Sequence, residues 1–301
     1  MVYRNLYKRK GIPMKLFIPL RKYLETKLNH RLESIAQEIL KQDLYQGKKK
    51  INNLIVSLTS FPERINDVWK VIVSLKSQTY LPEKIILWLS LEQFPDKRIP
   101  KILRELEDDV FSIKFVKEDI RSYKKFFYAM QEFPDSSIIT VDDDMYYHRD
   151  MIRLLLEKSE IHPDCVISSR VRKIKYREGE VAPYERWSTL VRVKDNEDLC
   201  QIGVDGVLYP AGSLPAVSFD KNIFLRIAPT ADDLWLNAML RLNGKKVLRS
   251  GKTYINVPVS PESPSLEDLN CGDGRNDLQL ASIRKYIRER FNCDLYSRKE
   301  K

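Results

Sequence analysis

Ser137-Ile138-Ile139-Thr140-Val141-Asp142-Asp143-Asp144-Met145-Tyr146-Tyr147 sets a β-branched apolar run directly against three consecutive aspartates. The run from Ile138 to Val141 suits a buried strand. Residues two apart on a strand share a face, which predicts Asp142 and Asp144 on one side and Asp143 on the other. Carboxylates converging at the carboxyl end of a buried strand are costly unless a cation pairs them. A hard divalent ion with oxygen ligands, Mn2+ or Mg2+, answers that need. Ligand sites of open α/β sheets lie at that end of the strands. A solvated acidic turn is the plainer alternative, less expected directly after four apolar strand residues.

The flanking sequence supplies the rest of a sheet. Residues 52–60 read as a first strand, and Pro62 punctuates the loop behind it. Ile65, Val68, Ile72 and Leu75 then mark one face of a helix. A second strand is expected over residues 84–89, a short helix over 100–107 and a third strand over 112–116. Tyr123, Phe126, Phe127 and Met130 mark another helical face. After the Asp-rich strand, Met151 to Leu156 suits a helix. This β-α alternation predicts a largely parallel sheet covered by helices. Residues 163–220 break the alternation with strand-like runs at 165–168 and 189–193. Helical spacing returns at Leu234, Trp235, Ala238, Met239 and Leu242. A last helix is expected to start near Asp277, using it as N-cap.

Glycine placement excludes two nucleotide cradles. No glycine occurs between Gly47 and Gly179. The Rossmann GxGxxG and the P-loop both need glycines after an early strand, where backbone approaches phosphate. A diphosphate bound here needs another cradle, and a metal on aspartates is one.

The net charge of +10 over 301 residues is unevenly held. Residues 1–50 carry 13 Lys/Arg against 4 Asp/Glu, and the remaining 251 residues carry 39 against 38. The body is nearly neutral, which argues against nucleic acid as a partner and marks a basic N-terminal extension. Leu32, Ile35, Ala36, Ile39 and Leu40 repeat there at helical spacing. Peripheral attachment to an anionic membrane surface and packing of a helix on the body both fit this pattern. The expected organisation is an extension over 1–50 and one domain over 51–301. No stretch is apolar for long enough to span a bilayer. A secretory signal pattern is not seen at the N-terminus. Cys165, Cys200, Cys271 and Cys293 have no CxxC spacing and read as reduced thiols. The expected location is the cytoplasm, with the inner face of the cytoplasmic membrane as the site of any attachment.

A second acidic pair, Asp232-Asp233, follows Pro229 and opens the helix of Leu234 and Trp235. Acidic residues favour a first helical turn through the dipole and capping. With a metal-bearing cluster elsewhere in the chain, a separate carboxylate also fits a general base for a hydroxyl nucleophile.

Six stretches together resemble bacterial GT-A-fold glycosyltransferases of the type that builds capsule or lipopolysaccharide glycans. Ser57 to Ile65 resembles the first-strand nucleotide loop, and Asp119 to Lys125 the basic donor segment. Thr140 to Tyr147 resembles the DXD strand, and Gly203 to Pro210 the acceptor-side loop. Asp232-Asp233 before Leu234-Trp235-Leu236 is similar to the ED-type motif, with Asp in place of Glu. Asn276 to Gln279 resembles a C-terminal motif of related enzymes. The resemblance covers about Ile51 to Phe291 and implies an α/β GT-A fold with a mostly parallel sheet flanked by helices.

At matching positions it implies roles. Asp142 and Asp144 would hold Mn2+ or Mg2+, and Thr59, Arg64, Asp119, Lys125, Asp142 and Asp143 would bind the donor. Asp233 would be the base of an inverting displacement. Asp232, Tyr209 and Trp235 would face the acceptor, though aromatic residues at such places are as often core. Arg64 as a surface ion pair and Lys124 and Lys125 as solvated cations are the plainer readings. Many relatives carry a metal-binding histidine near the C-terminus. Here the histidines are His30, His148 and His162; His148 follows the Asp-rich strand, as a ligand or, the favoured reading, on the rim of the next helix, and Asn270, Asp273, Asn276, Asp277 or water are the other third-ligand candidates. The implied reaction is metal-dependent transfer of a hexosyl group from a nucleotide sugar, with a UDP-sugar as the frequent donor. The implied acceptor is a hydroxyl of a glycan or lipid-linked glycan in bacterial surface polysaccharide synthesis. The alternatives are a sugar nucleotidyltransferase, disfavoured by the glycine-free stretch Thr59 to Arg64, and a non-catalytic glycan-binding protein.

Overall fold

Alternating apolar residues give strand β1 (Lys49–Thr59) two buried faces: Leu54, Val56 and Leu58 enter one core and Ile55 another. The structure, a computed structural model of the chain, describes residues 31, 33–43, 45–189, 194–251, 256–259 and 274–298. In these, β1 is followed by α1 (Val68–Lys76), β2 (Tyr80–Ser90), α2 (Lys101–Glu105), β3 (Phe111–Val116), α3 (Lys124–Glu132) and β4 (Ser137–Thr140). Then come β5 (Met145–Tyr146), α4 (Met151–Ile161) and β6 (Val166–Lys173). Three two-residue strands follow, β7 (Tyr176–Arg177), β8 (Glu180–Val181) and β9 (Ser188–Thr189). The long β10 (Leu199–Tyr209) leads to α5 (Lys221–Ile227), α6 (Asp232–Leu242), β11 (Val247–Arg249), β12 (Val257–Pro258) and α7 (Arg275–Phe291).

The main sheet runs β11-β6-β10-β4-β1-β2-β3, with β9 beside β6. β3, β2, β1 and β4 are mutually parallel, and β11 is parallel to β6. Only β10 and the short β9 run antiparallel to their neighbours in this sheet. The expected architecture, a mostly parallel α/β sheet flanked by helices, is the observed one. The carboxyl ends of β1 to β4 therefore open on one edge, where ligand sites of such sheets form. α1 and α4 pack on one face through Val68, Val71, Ile72, Leu75, Ile152 and Leu155. On the other, α3 covers Ile55, Ile86 and Ile138, and α6 and α7 enclose β6 and β10 in a second large core.

Several boundaries differ from the sequence reading. β1 starts at Lys49, ahead of residue 52, and β4 ends at Thr140, so Asp142 to Asp144 lie beyond the strand. α7 starts at Arg275, behind Gly274 in a left-handed conformation (φ 64°). Asp277 sits in its first turn and does not cap it; its Oδ1 accepts the Tyr184 N–H at 2.7 Å. Ser188–Thr189 pairs with β6, while residues 190–193 of the expected strand lie outside the described residues.

Residues 1–30 and Leu32 also lie outside the described residues. Residues 33–39 are helical and pack on the body. Ala36 is fully buried in the first core, with Ile39, Leu40 and Tyr45 against it. The Tyr45 hydroxyl donates to Asp108, and Lys48 Nζ donates to the Lys76 carbonyl at 2.8 Å. Among the described residues no helix is long and apolar enough to cross a membrane.

Candidate functional site

Beyond Thr140 the period-two rule of a strand lapses, and the three aspartates go to two cations. Asp142 faces α3, where Lys125 Nζ donates to its Oδ1 at 2.8 Å. Asp143 turns to the loop after β1: Ser60 Oγ donates to Oδ2 at 2.5 Å, and Arg64 Nη1 donates to Oδ1 at 2.8 Å. Asp144 also reaches Arg64, at 2.9 Å from Nη1, while Asp142 stands near enough to raise it. Arg64 is itself buried, so it is no surface ion pair. Burial raises the Asp143 carboxyl even against this guanidinium. Burial, with Asp142 close by, pushes Asp144 up to about 7. Asp144 Oδ1 is buried with no hydrogen-bond partner.

Tyr147 holds the backbone of this turn. Its hydroxyl donates to the Asp142 and Val204 carbonyls at 3.1 Å and accepts the Asp142 N–H at 2.8 Å. From the other side, the Val259 N–H donates to the Asp144 carbonyl at 2.8 Å, where β12 pairs with β5. The turn is thus fixed by side chain and backbone from three elements, which limits the reorganisation a bound cation would demand.

The second acidic pair sits across Lys125. Asp232 and Asp233 open α6, yet no side chain caps that helix. Their carboxylates serve other elements. Lys125 Nζ lies 3.3 Å from Asp232 Oδ2. Asp233 Oδ2 accepts the Gly203 N–H of β10 at 3.1 Å, and the Asp233 carbonyl accepts Gln201 Nε2 at 3.0 Å. Burial first and Asp232 second push Asp233 up to about 7, opposed by Lys125. Gly203 lies between the two acidic groups. A Cβ there would stand 3.1 Å from Lys125 Nζ, 3.4 Å from Asp233 Oδ1 and 3.7 Å from Asp142 Oδ1. A Cβ would crowd the Lys125 amine by a few tenths of an ångström and touch both carboxylates at ordinary contact distance.

The donor segment is also more buried than a solvated basic run. Lys124 is 2% exposed and its amine pairs with Asp119. Asp119 Oδ1 also accepts the Arg121 N–H at 3.0 Å, and the Asp119 N–H donates to Glu92 Oε2 at 3.0 Å. Arg121 is left-handed (φ 57°) and donates to the Pro229 carbonyl at 3.2 Å, tying this loop to the one before α6. Thr59, at the end of β1, donates from Oγ1 to the Trp88 carbonyl at 2.8 Å. Ser57 donates to the Lys125 carbonyl and accepts from Trp88 Nε1 at 2.9 Å, so β1 and β2 both set the height of α3.

Tyr209 and Trp235, expected at the acceptor, belong to the second core. They are 1% and 0% exposed, and Trp235 Nε1 donates to the Ser218 carbonyl at 3.1 Å. Neither offers surface to a sugar, because the alternation of β10 and the inner face of α6 turn both inward. His148 is not at the carboxylates. Its N–H donates to Asn256 Oδ1 and its carbonyl accepts from Gln78 beyond the end of α1. Of the other third-ligand candidates, Asp277 serves the Tyr184 N–H, Asn276 is buried on α7, and Asn270 and Asp273 lie outside the described residues.

Among the described residues no group of three His, Cys, Asp or Glu is arranged to hold a metal. Asp142 and Asp144 would offer a cation two carboxylates. The unpartnered Asp144 Oδ1 and its raised proton affinity fit a divalent cation there. Mg2+-like ions accept one or two carboxylates and complete their shell with water and phosphate oxygens. Charge points the same way: five aspartates here face Lys125 and Arg64.

Ser60, Lys124, Gly203 and Tyr147 join the site without having been singled out as site residues. All four stood inside the quoted motifs. A glycine inside a predicted strand is itself a signal of close approach. A cleft of about 590 Å³ between α3 and β3, lined by Trp88, Phe127 and Tyr128 among others, does not include the carboxylates.

No protein-family profile matches the chain, and no curated protein matches it in sequence. Among solved structures it is similar to a mannosyltransferase, PcManGT from Pyrobaculum calidifontis, in complex with GDP-Man and Mn2+. The TM-score is 0.46 at 11% identity, over 88% of this chain and 74% of that one.

Proposed function

We propose that this chain is a glycosyltransferase that moves a hexosyl group from a nucleotide sugar to a hydroxyl of a glycan or lipid-linked glycan. The observation that carries the reading is the pairing of two acidic groups across Gly203. Asp142 and Asp144 stand at the sheet's carboxyl edge, and Asp233 stands on α6, with Lys125 between them. One group suits a leaving diphosphate and the other an attacking hydroxyl.

In this reading the donor lies over the carboxyl ends of β1 to β4. Thr59 and Asp119 bound the nucleoside end, and Arg64 holds Asp143 and Asp144 in place. A divalent cation on Asp142 and Asp144, when bound, supplies positive charge for the departing diphosphate. Asp233 accepts the acceptor's hydroxyl proton as its oxygen attacks the anomeric carbon. A carboxyl pushed up to about 7 is well matched to that task near neutral pH. A single displacement inverts the anomeric centre. Asp232 acts through Lys125 rather than on the sugar, given its 3.3 Å approach to the amine. The donor in this reading is a UDP-sugar, and the product belongs to a bacterial surface polysaccharide. The basic extension is assigned to an anionic lipid surface.

The test is a donor panel that reads slow nucleotide-sugar hydrolysis with Mn2+ or Mg2+, needing no known acceptor. Hydrolysis of one donor class, lost in Asp233→Asn by roughly two to four orders of magnitude with donor affinity kept, is the expected result. Silence across the panel together with no nucleotide-dependent thermal shift would remove the reading.

A further inference from the structure

Lys125 was expected to meet the donor's diphosphate. Its amine is instead enclosed by the protein's own carboxylates. It donates to Asp142 Oδ1 at 2.8 Å and lies 3.3 Å from Asp232 Oδ2, and the residue is 6% exposed. Gly203 borders it, and a Cβ there would stand 3.1 Å from Nζ, close enough to push the amine by a few tenths of an ångström. The same absent Cβ stands beside Asp233 Oδ1, so the amine and that carboxylate lie at most ~6.5 Å apart, well within unscreened reach. The α3 backbone that carries Lys125 is fastened from below by Ser57, which donates to the Lys125 carbonyl.

We propose that Lys125 is a positioning residue that binds the donor-side carboxylate Asp142 and the acceptor-side pair Asp232-Asp233 into one charge-balanced cluster, with Gly203 as the gap that admits its amine. The amine keeps Asp233 ionisable where burial and two like charges oppose it. The assignment of Asp233 as base rests on the glycosyl-transfer reading; the cluster does not. The groups facing Asp233 are Lys125 on α3, Tyr123 just before it, Asp142 after β4, Cys200, Gln201, Gly203 and Tyr209 on β10, and Asp232 on its own helix. Of these Lys125 is the cation. At ~6.5 Å and an effective dielectric near 20, a unit charge moves a carboxyl by about two pH units.

Asp-selective ¹³C-carboxyl NMR of the full chain in chelator-treated buffer reads this directly. The Asp233 resonance is assigned by its loss in Asp233→Asn. Lys125→Met is expected to raise the Asp233 midpoint by about one to two pH units. Gly203→Ala keeps every charge but crowds the amine, and is expected to move the midpoint the same way by less. In the double variant the Gly203→Ala shift is expected to vanish, since there is no amine left to displace. An Asp233 midpoint unmoved in both folded single variants would overturn the proposal, and so would a Gly203→Ala shift that persists undiminished beside Lys125→Met. Should Lys125→Met not fold, Gly203→Ala alone decides by whether its midpoint moves. A chain that hydrolysed no donor would remove the glycosyl-transfer reading and leave this titration readable.

Discussion

Neutralising Asp233 is expected to stabilise the protein while removing its chemistry. The carboxyl sits among Asp232 and Asp142 with Lys125 as the shared cation, and it is pushed up to about 7 from an ordinary 3.8. A carboxyl raised in the folded state favours folding fully below its unfolded value, near pH 4. That contribution is lost as pH rises through the folded value near 7. Asparagine keeps the shape and an oxygen for the Gly203 N–H, and never ionises. The two proteins should therefore have equal stability near pH 4 and diverge above it, with Asp233→Asn the more stable at pH 8. Three pH units correspond to about 4 kcal/mol as an upper limit. Residual exposure and relaxation of the cluster reduce the expected gain to about 1–2 kcal/mol. Urea unfolding at pH 4.5 and pH 8 measures it as a shift of midpoint at constant slope. A variant less stable than the parent at pH 8, or a difference that ignores pH, would refute the reasoning. Such a gain accompanying lost turnover is the stability cost an active site carries.

Asp144→Asn should abolish metal-dependent nucleotide binding while leaving the fold intact, because Oδ1 of Asp144 has no protein partner to lose; calorimetry of UDP with Mn2+ checks it, and unchanged affinity would move the metal elsewhere. Residues 1–30 hold eight Lys/Arg against one Asp/Glu, so their deletion should abolish salt-sensitive binding to anionic vesicles. Deletion of 1–45 should also destabilise the body by about 2–4 kcal/mol, as Ala36 and Tyr45 leave the first core; an unchanged midpoint would show that this contact contributes nothing.

The sheet was legible because its strands are apolar on the scale of single residues. β1, β2 and β4 carry buried runs whose period needs no knowledge of their neighbours, and α1, α3 and α6 show their inner faces by spacing alone. The order of strands was only partly legible. β10 enters antiparallel between β4 and β6, and its pairing with β4 joins residues more than sixty positions apart along the chain. Local propensity carries no record of such a partner. The breaks in its register, between Ile202 and Val207, fall on Gly203 and Gly206.

At the site, the sequence by itself determined which residue types gather: a basic run, an aspartate triplet after a strand, and an acidic pair opening a helix. Tertiary structure alone decided who meets whom. The two-residue period assigns Asp142 and Asp144 to one side only while the chain stays extended. β4 stops at Thr140, and Asp144 joins Asp143 on Arg64 while staying close to Asp142. Lys124 and Lys125 look like any solvated pair in sequence, but α3 lays Lys124 against nearby Asp119 and Lys125 against Asp142 and the distant Asp232. Tyr209 and Trp235 were assigned outward by their neighbours in the motif and turned inward by packing. A side chain's chemistry is written in its residue type. Its partner is set by distance in space, and for charges in a poorly hydrated interior that distance decides whether the group is a ligand, a base or a counter-ion.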